Sequence, residues 1–174
     1  MFYELLERME LWLGELSIVF ITNWTIGASL RYEIWASLMA IELQQTTIGK
    51  RLKEGGDRAI QKWIDDQLYG KTVVIVLIGA KTAGRKWIKY EIKKAWEEGK
   101  GVLGIHIHNL KDKNGNQTSK GKNPFEDLVI GGTPMSNIIQ TYDPTPWFRS
   151  TYEYIQLNMA DWIETAIEIR GRNS

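Results

Sequence analysis

Residues 71–79 read Lys-Thr-Val-Val-Ile-Val-Leu-Ile-Gly, β-branched and apolar with no charge after Lys71. An unbroken run of this kind predicts a strand buried on both faces, as in a parallel sheet covered by helices. Ala80 to Arg85 follows as a short connection, Lys86 to Glu98 as a helix, and Val102 to Ile107 as a second apolar strand. Parallel strands need such a crossover. Ile88, Ile92 and Ala95 form the helical stripe that should face the sheet.

The flanking pattern is weaker at the start and clear at the end. Phe2, Leu5, Leu6, Met9 and Leu13 alternate with Glu4, Glu7 and Glu10 as a short amphipathic helix would. Ser17 to Asn23 is strand-like, Leu30 to Leu43 is apolar and helical in spacing, and Gln44 to Gly49 reads as a connection. Gly56 to Leu68 predicts a helix with Asp57 as its cap and Ile60, Trp63, Ile64 and Leu68 inside. Asn109 to Pro124 is polar and predicts a long loop turning at Asn114-Gly115. Ile138 to Tyr142 predicts a short edge strand, followed by a turn at Pro144 and Pro146. Tyr152 to Arg170 predicts a closing helix that buries Tyr152, Ile155, Met159, Trp162, Ile163, Ala166 and Ile167.

Composition narrows the function classes. One domain of 174 residues holds a sizeable core, and a net charge of +1 gives no footprint for nucleic acid or an anionic membrane. With no cysteine there is neither a disulfide framework nor thiolate chemistry, which fits a cytoplasmic location. No apolar run approaches the ~20 residues that cross a bilayer, and the acidic start is unlike a secretory signal. Most of the eight Trp residues are expected in the core.

Ligands of open α/β sheets bind at the carboxyl ends of the strands, so the loop from Gly79 to Arg85 and the turn after it are the places for chemistry. Trp87 and Glu91 are four apart and share a helix face. Two readings of that pair stand side by side. A carboxylate beside an aromatic plane holds a sugar diol or a cationic ring, or else Glu91 serves the helix dipole and Trp87 the core. Asp112, Asn114 and Asn116 open like a calcium loop, but Gln117 stands where glycine is needed and Asn123 where the closing acid is. His106 and His108 share one strand face without a third ligand, so no metal is expected.

Longer strings carry a family resemblance. They are Gly55-Gly56-Asp57, Lys62-Trp63-Ile64-Asp65, Val74 to Gly79, Thr82, Arg85 to Ile92 and Gly104 to Asp112. Gly121 to Phe125 and Thr141 to Pro144 complete them. From about Lys53 to Arg170, roughly two-thirds of the chain, it resembles the TIR-like domain of Thoeris anti-phage defence proteins of the ThsB family. The resemblance implies an α/β fold, a flavodoxin-like three-layer sandwich around a mainly parallel sheet. It implies an enzyme that cleaves NAD between nicotinamide and ribose and makes a cyclic ADP-ribose-type signal. That diffusible nucleotide would switch on a partner effector. NAD is then the substrate and no cofactor is needed. Self-association is expected, as for a TIR interaction module that cleaves nothing. The family's Trp followed four residues on by a Glu makes Glu91 the catalytic residue, with Gly79, Thr82 and Trp87 against the substrate.

Residues 1–52 depart from the resemblance, which sets them apart from a TIR-like domain over 53–174. Relatives open with a Val-Phe-Tyr-Ser-Phe-His-Tyr strand and an Asp-x-Trp-Arg helix, absent here. Shifted by two bases, permitted codons from Glu10 onward spell such a start, with Trp24-Thr25 forced to Asp and both Trp35-Ala36 and Met39-Ala40 to Gly. The segment thus reads either as an out-of-frame translation, which would leave an inactive product, or as the divergent N-terminus of a real relative. Ser17 to Ile21 is expected to fill the vacant first-strand slot, placing Thr22, Asn23 and Trp24 by accident at the pocket wall.

Overall fold

The apolar run forms the centre of the sheet. The computed structural model describes residues 18–22 (backbone), 55–111, 115–145 and 150–174. β1 is Ile18–Thr22, β2 Lys71–Ile78 and β3 Gly101–His106. Val129–Ile130 and Thr133–Pro134 form β4 and β5, and Thr141–Tyr142 forms β6. The helices are α1 over residues 55–68, α2 Lys86–Glu97 and α3 Thr151–Arg172. The main sheet has the order β1-β2-β3-β6, with β4 and β5 as a separate antiparallel pair. β2, β3 and β6 run parallel, so the sheet is mainly parallel as expected.

Two apolar layers lie on opposite faces. Val74, Val76, Ile78 and Val102 pack with Ile64 and Leu68 of α1, Ile88, Ile92 and Ala95 of α2, and Phe125. On the other face Val73, Ile75, Leu103 and Ile105 pack with Ile155, Met159, Trp162, Ile163 and Ala166 of α3. Strand alternation assigns these faces. Both are covered, which is why β2 and β3 carry apolar residues without alternation. Gly104 is needed for one of the layers: a Cβ there would lie 2.7 Å from the Phe125 ring and 2.9 Å from Ile78 Cδ1.

Three expectations change. β1 takes the slot beside β2 but runs antiparallel, pairing Ile18 with Val76 and Thr22 with Lys71. A flavodoxin-like order has its first strand parallel there. Thr22 therefore lies at the amino end of β2, at the opposite edge from Gly79, and not at the pocket wall; Asn23 and Trp24 lie outside the described residues. Asp57 is no cap but sits inside α1 and pairs with Lys86. The edge strand is only Thr141–Tyr142, because Met135–Asn137 winds as a 3-10 turn whose Met135 carbonyl binds the amides of Ile138 and Ile139. The proposed elements over Met1–Leu13, Leu30–Leu43 and Gln44–Gly49, and residues Asp112, Asn114 and Pro146, lie outside the described residues.

Candidate functional site

At the carboxyl end of β2 the chain is clamped. The Thr82 hydroxyl accepts from the Gly79 amide at 2.9 Å and donates to the Leu77 carbonyl at 3.1 Å. The Thr82 amide returns to the Gly79 carbonyl at 3.2 Å, and Arg85 N–H donates to the Thr82 carbonyl at 3.2 Å. Thr82 is buried, and its hydroxyl holds the loop that launches α2. Gly121 lies directly over this loop, because a Cβ on it would stand 2.0 Å from the Gly79 carbonyl oxygen. Gly79 is thus covered by backbone, and the Thr82 hydroxyl, which the resemblance set against the substrate, is engaged by the backbone of its own loop.

α2 begins at Lys86, and its first turn is fastened from outside. Lys86 pairs with Asp57 of α1 and lies 4.7 Å over the Trp87 ring. Lys89 pairs with Asp127 at 3.0 Å, and the Tyr90 hydroxyl donates to Asp65 at 3.0 Å. Trp87 is half-buried against the core and meets Tyr90 edge-on at 6.0 Å. These contacts fix the helix, and with it the residue one turn beyond Trp87.

That residue is Glu91, 0% exposed, with neither carboxyl oxygen hydrogen-bonded. It stands in the second turn, beyond the reach of the helix dipole that would have explained it otherwise. Burial alone pushes its carboxyl up from an ordinary 4.5 to about 8. An acid held so is protonated at neutral pH, and each unpaired polar group costs about 1–3 kcal/mol. An apolar side chain of similar volume would be more stable there. The carboxyl is thus held at a cost to stability.

Beside this, β3 and β6 end in a second polar group. His106 is 5% exposed, and its ring meets that of His108 edge-on at 5.9 Å. His108 Nδ1 stands 3.7 Å from Asp143, whose other oxygen accepts from Lys120 at 2.7 Å. Nδ1 of both imidazoles is buried without a hydrogen bond. Burial first, then Lys120 and His108, pull His106 below its ordinary range, against Asp143. Among the described residues no group of three His, Cys, Asp or Glu is placed to hold a metal ion. Sequence spacing pairs the histidines but misses Lys120 and Asp143, which arrive from a distant loop and strand.

Comparison with known proteins agrees with this architecture. Residues 29–112 match the family described as the TIR-like domain of Thoeris protein ThsB, and 24 of the matched residues, 29 to 52, fall within the segment set apart above. A Bacillus cereus protein named "Putative cyclic ADP-D-ribose synthase ThsB1" is 46% identical over 76 residues, covering 44% of this chain. The chain spans 40% of that relative's length. No helix among the described residues is long and apolar enough to cross a membrane. Over residues 29–112 this chain is similar to the TIR-like domain of the Thoeris ThsB family.

Proposed function

We propose that this chain is a nucleotide-processing enzyme of anti-phage defence, cleaving NAD at the nicotinamide–ribose bond and forming a cyclic ADP-ribose-type signal for a partner effector. The supporting observation is Glu91, a buried and unpartnered carboxyl on the helix that follows a sheet's carboxyl edge. The similarity to a protein named as a cyclic ADP-D-ribose synthase points to the same chemistry.

In this reading the resting acid is protonated and becomes a carboxylate when substrate arrives. The nicotinamide ring of NAD is cationic, so it favours the ionised form, and the proton leaves to solvent. As the glycosidic bond breaks, nicotinamide takes the bonding pair and the positive charge passes to the ribose. The carboxylate stabilises that charge and accepts from the ribose hydroxyls. An adenine nitrogen then bonds the anomeric carbon, provided water is kept out. Since Glu91 is 0% exposed, the reacting conformation must be more open than this one. The acid limb of kcat/KM should then fall near the free carboxyl's value of about 8, which a pH–rate profile measures.

The same enclosure favours a second reading, a TIR module that acts by association and leaves NAD intact. Incubation of pure protein with NAD decides between them. Nicotinamide release that disappears in Glu91→Gln supports the enzyme; no release, or equal release by the variant, rejects this role for Glu91.

A further inference from the structure

The segment that leads to the 3-10 turn at Pro124 crosses the carboxyl edge of the sheet as a strap. Residues 115–120 of it are exposed, and Gly121 is buried where it passes over the Gly79 carbonyl. The outer part is tied to the ends of two strands. The Thr118 amide donates to the His108 carbonyl at 3.2 Å, and the Gln117 side-chain amide to the Asn109 carbonyl at 2.8 Å. Lys120 pairs with Asp143 just beyond β6, and the other oxygen of Asp143 faces His108 Nδ1. The edge-on ring of His106 completes a compact set of ionisable groups under one end of the strap.

The charge of that set depends on its proton count. With both imidazoles neutral, one ammonium stands against one carboxylate and the set is balanced. A proton added to an imidazole brings a second positive charge close to Lys120, and Asp143 has only one charge to offer. His106 is the worst place for it, being 5% exposed with its Nδ1 buried and unbonded. The charges acting on it are Lys120 from the strap, Asp143 from the end of β6 and His108 from the end of its own strand. Nearby cations on other elements are engaged elsewhere: Lys122 and Lys89 with Asp127, and Lys86 with Asp57.

We propose that the strap over residues 115–121 is a proton-sensitive latch, closed while His106 is neutral and released when that ring gains a proton. Release lets the imidazolium reach water and carries Lys120 away from it, and both favour the charged form. The closed form therefore holds His106 below the ordinary 6.5, and the open form does not. Closure is complete above that value and is lost as pH falls from there towards the depressed one. Lifting Gly121 uncovers the Gly79 loop that launches α2. The latch does not depend on the NAD reading.

The chain has just two histidines, so their NMR resonances are readable in the intact protein. His106 should titrate below 6.5 in the closed parent. Lys120→Gln removes a repelling cation and frees Asp143, so His106 should then titrate higher. Hydrogen exchange of the Thr118 amide, relative to an unstructured chain at each pH, should report the latch itself. Its protection should hold from pH 8 to pH 7 and then fall by up to about tenfold per pH unit, while the amides of β2 stay protected. In His106→Asn that protection should no longer respond to pH. A His106 titration at or above 6.5, or one that Lys120→Gln leaves in place, would overturn the coupling. Thr118 protection that ignores pH in the parent, or that falls only together with β2, would overturn the latch.

Discussion

A carboxyl group buried without a hydrogen-bond partner in the protein makes folding pH-dependent. The folded state binds the Glu91 proton more tightly than the unfolded chain does, with about 8 against an ordinary 4.5. Between those values the unfolded state has lost a proton that the folded state keeps. Stability therefore falls as pH rises through this window, by about 1.4 kcal/mol per pH unit. Glu91→Gln should lack this slope. Urea unfolding at pH 5 and pH 8 should show the parent losing roughly 4 kcal/mol more than the variant; parallel losses would refute the held proton. Thr82 makes a different demand. Thr82→Val strands the Gly79 amide and the Leu77 carbonyl and should cost about 1–3 kcal/mol in thermal unfolding, with Thr82→Ser recovering most of it. Spacing picks out Trp87 and Glu91 because a period of four is local to one helix. It is blind to whether Glu91 is enclosed, and it cannot tell that the Thr82 hydroxyl is occupied by its own backbone.

At the scale of elements, β2, α2, β3 and α3 are legible because each carries its own signal: uniform apolarity, helical stripes, or both. α3 begins with a feature the hydrophobic pattern overlooks. Ser150 accepts from the Glu153 amide at 3.2 Å while the Glu153 carboxylate accepts from the Ser150 amide at 3.2 Å, a reciprocal capping box. Ser150→Ala should lower stability by about 1 kcal/mol, seen as a shift in the urea midpoint without a change in slope. Asp57 had the right residue type for a cap, yet α1 already extends from residue 55 and a charge partner waits on α2. Between β3 and β6 the described residues include two 3-10 turns and the β4-β5 pair, short elements that carry no periodic signal of their own.

For the whole molecule, layering sets a hierarchy of stability. β2 and β3 are covered on both faces, whereas β6 contributes two pairings, Gly104 with Thr141 and Ile105 with Tyr142. Native-state hydrogen exchange should find the amides of β2 and β3 opening only with global unfolding, and those of Thr141 and Tyr142 exchanging orders of magnitude faster. Equal protection would mean that β6 is locked by contacts other than its short ladder. The chain alone determined that a parallel, doubly covered sheet forms around residues 71–79, because a long unbroken apolar run has few other stable destinations. It also put Trp87 and Glu91 on one helix face, since that relation lies within one helix, while the choice of Glu91 came from the family resemblance. Only the fold decided that β1 runs backwards and carries Thr22 to the far edge, because strand direction depends on a partner elsewhere in the chain. Only the fold brought Lys120 and Asp143 to the two histidines, and only enclosure by neighbours turned an ordinary glutamate into one that holds its proton.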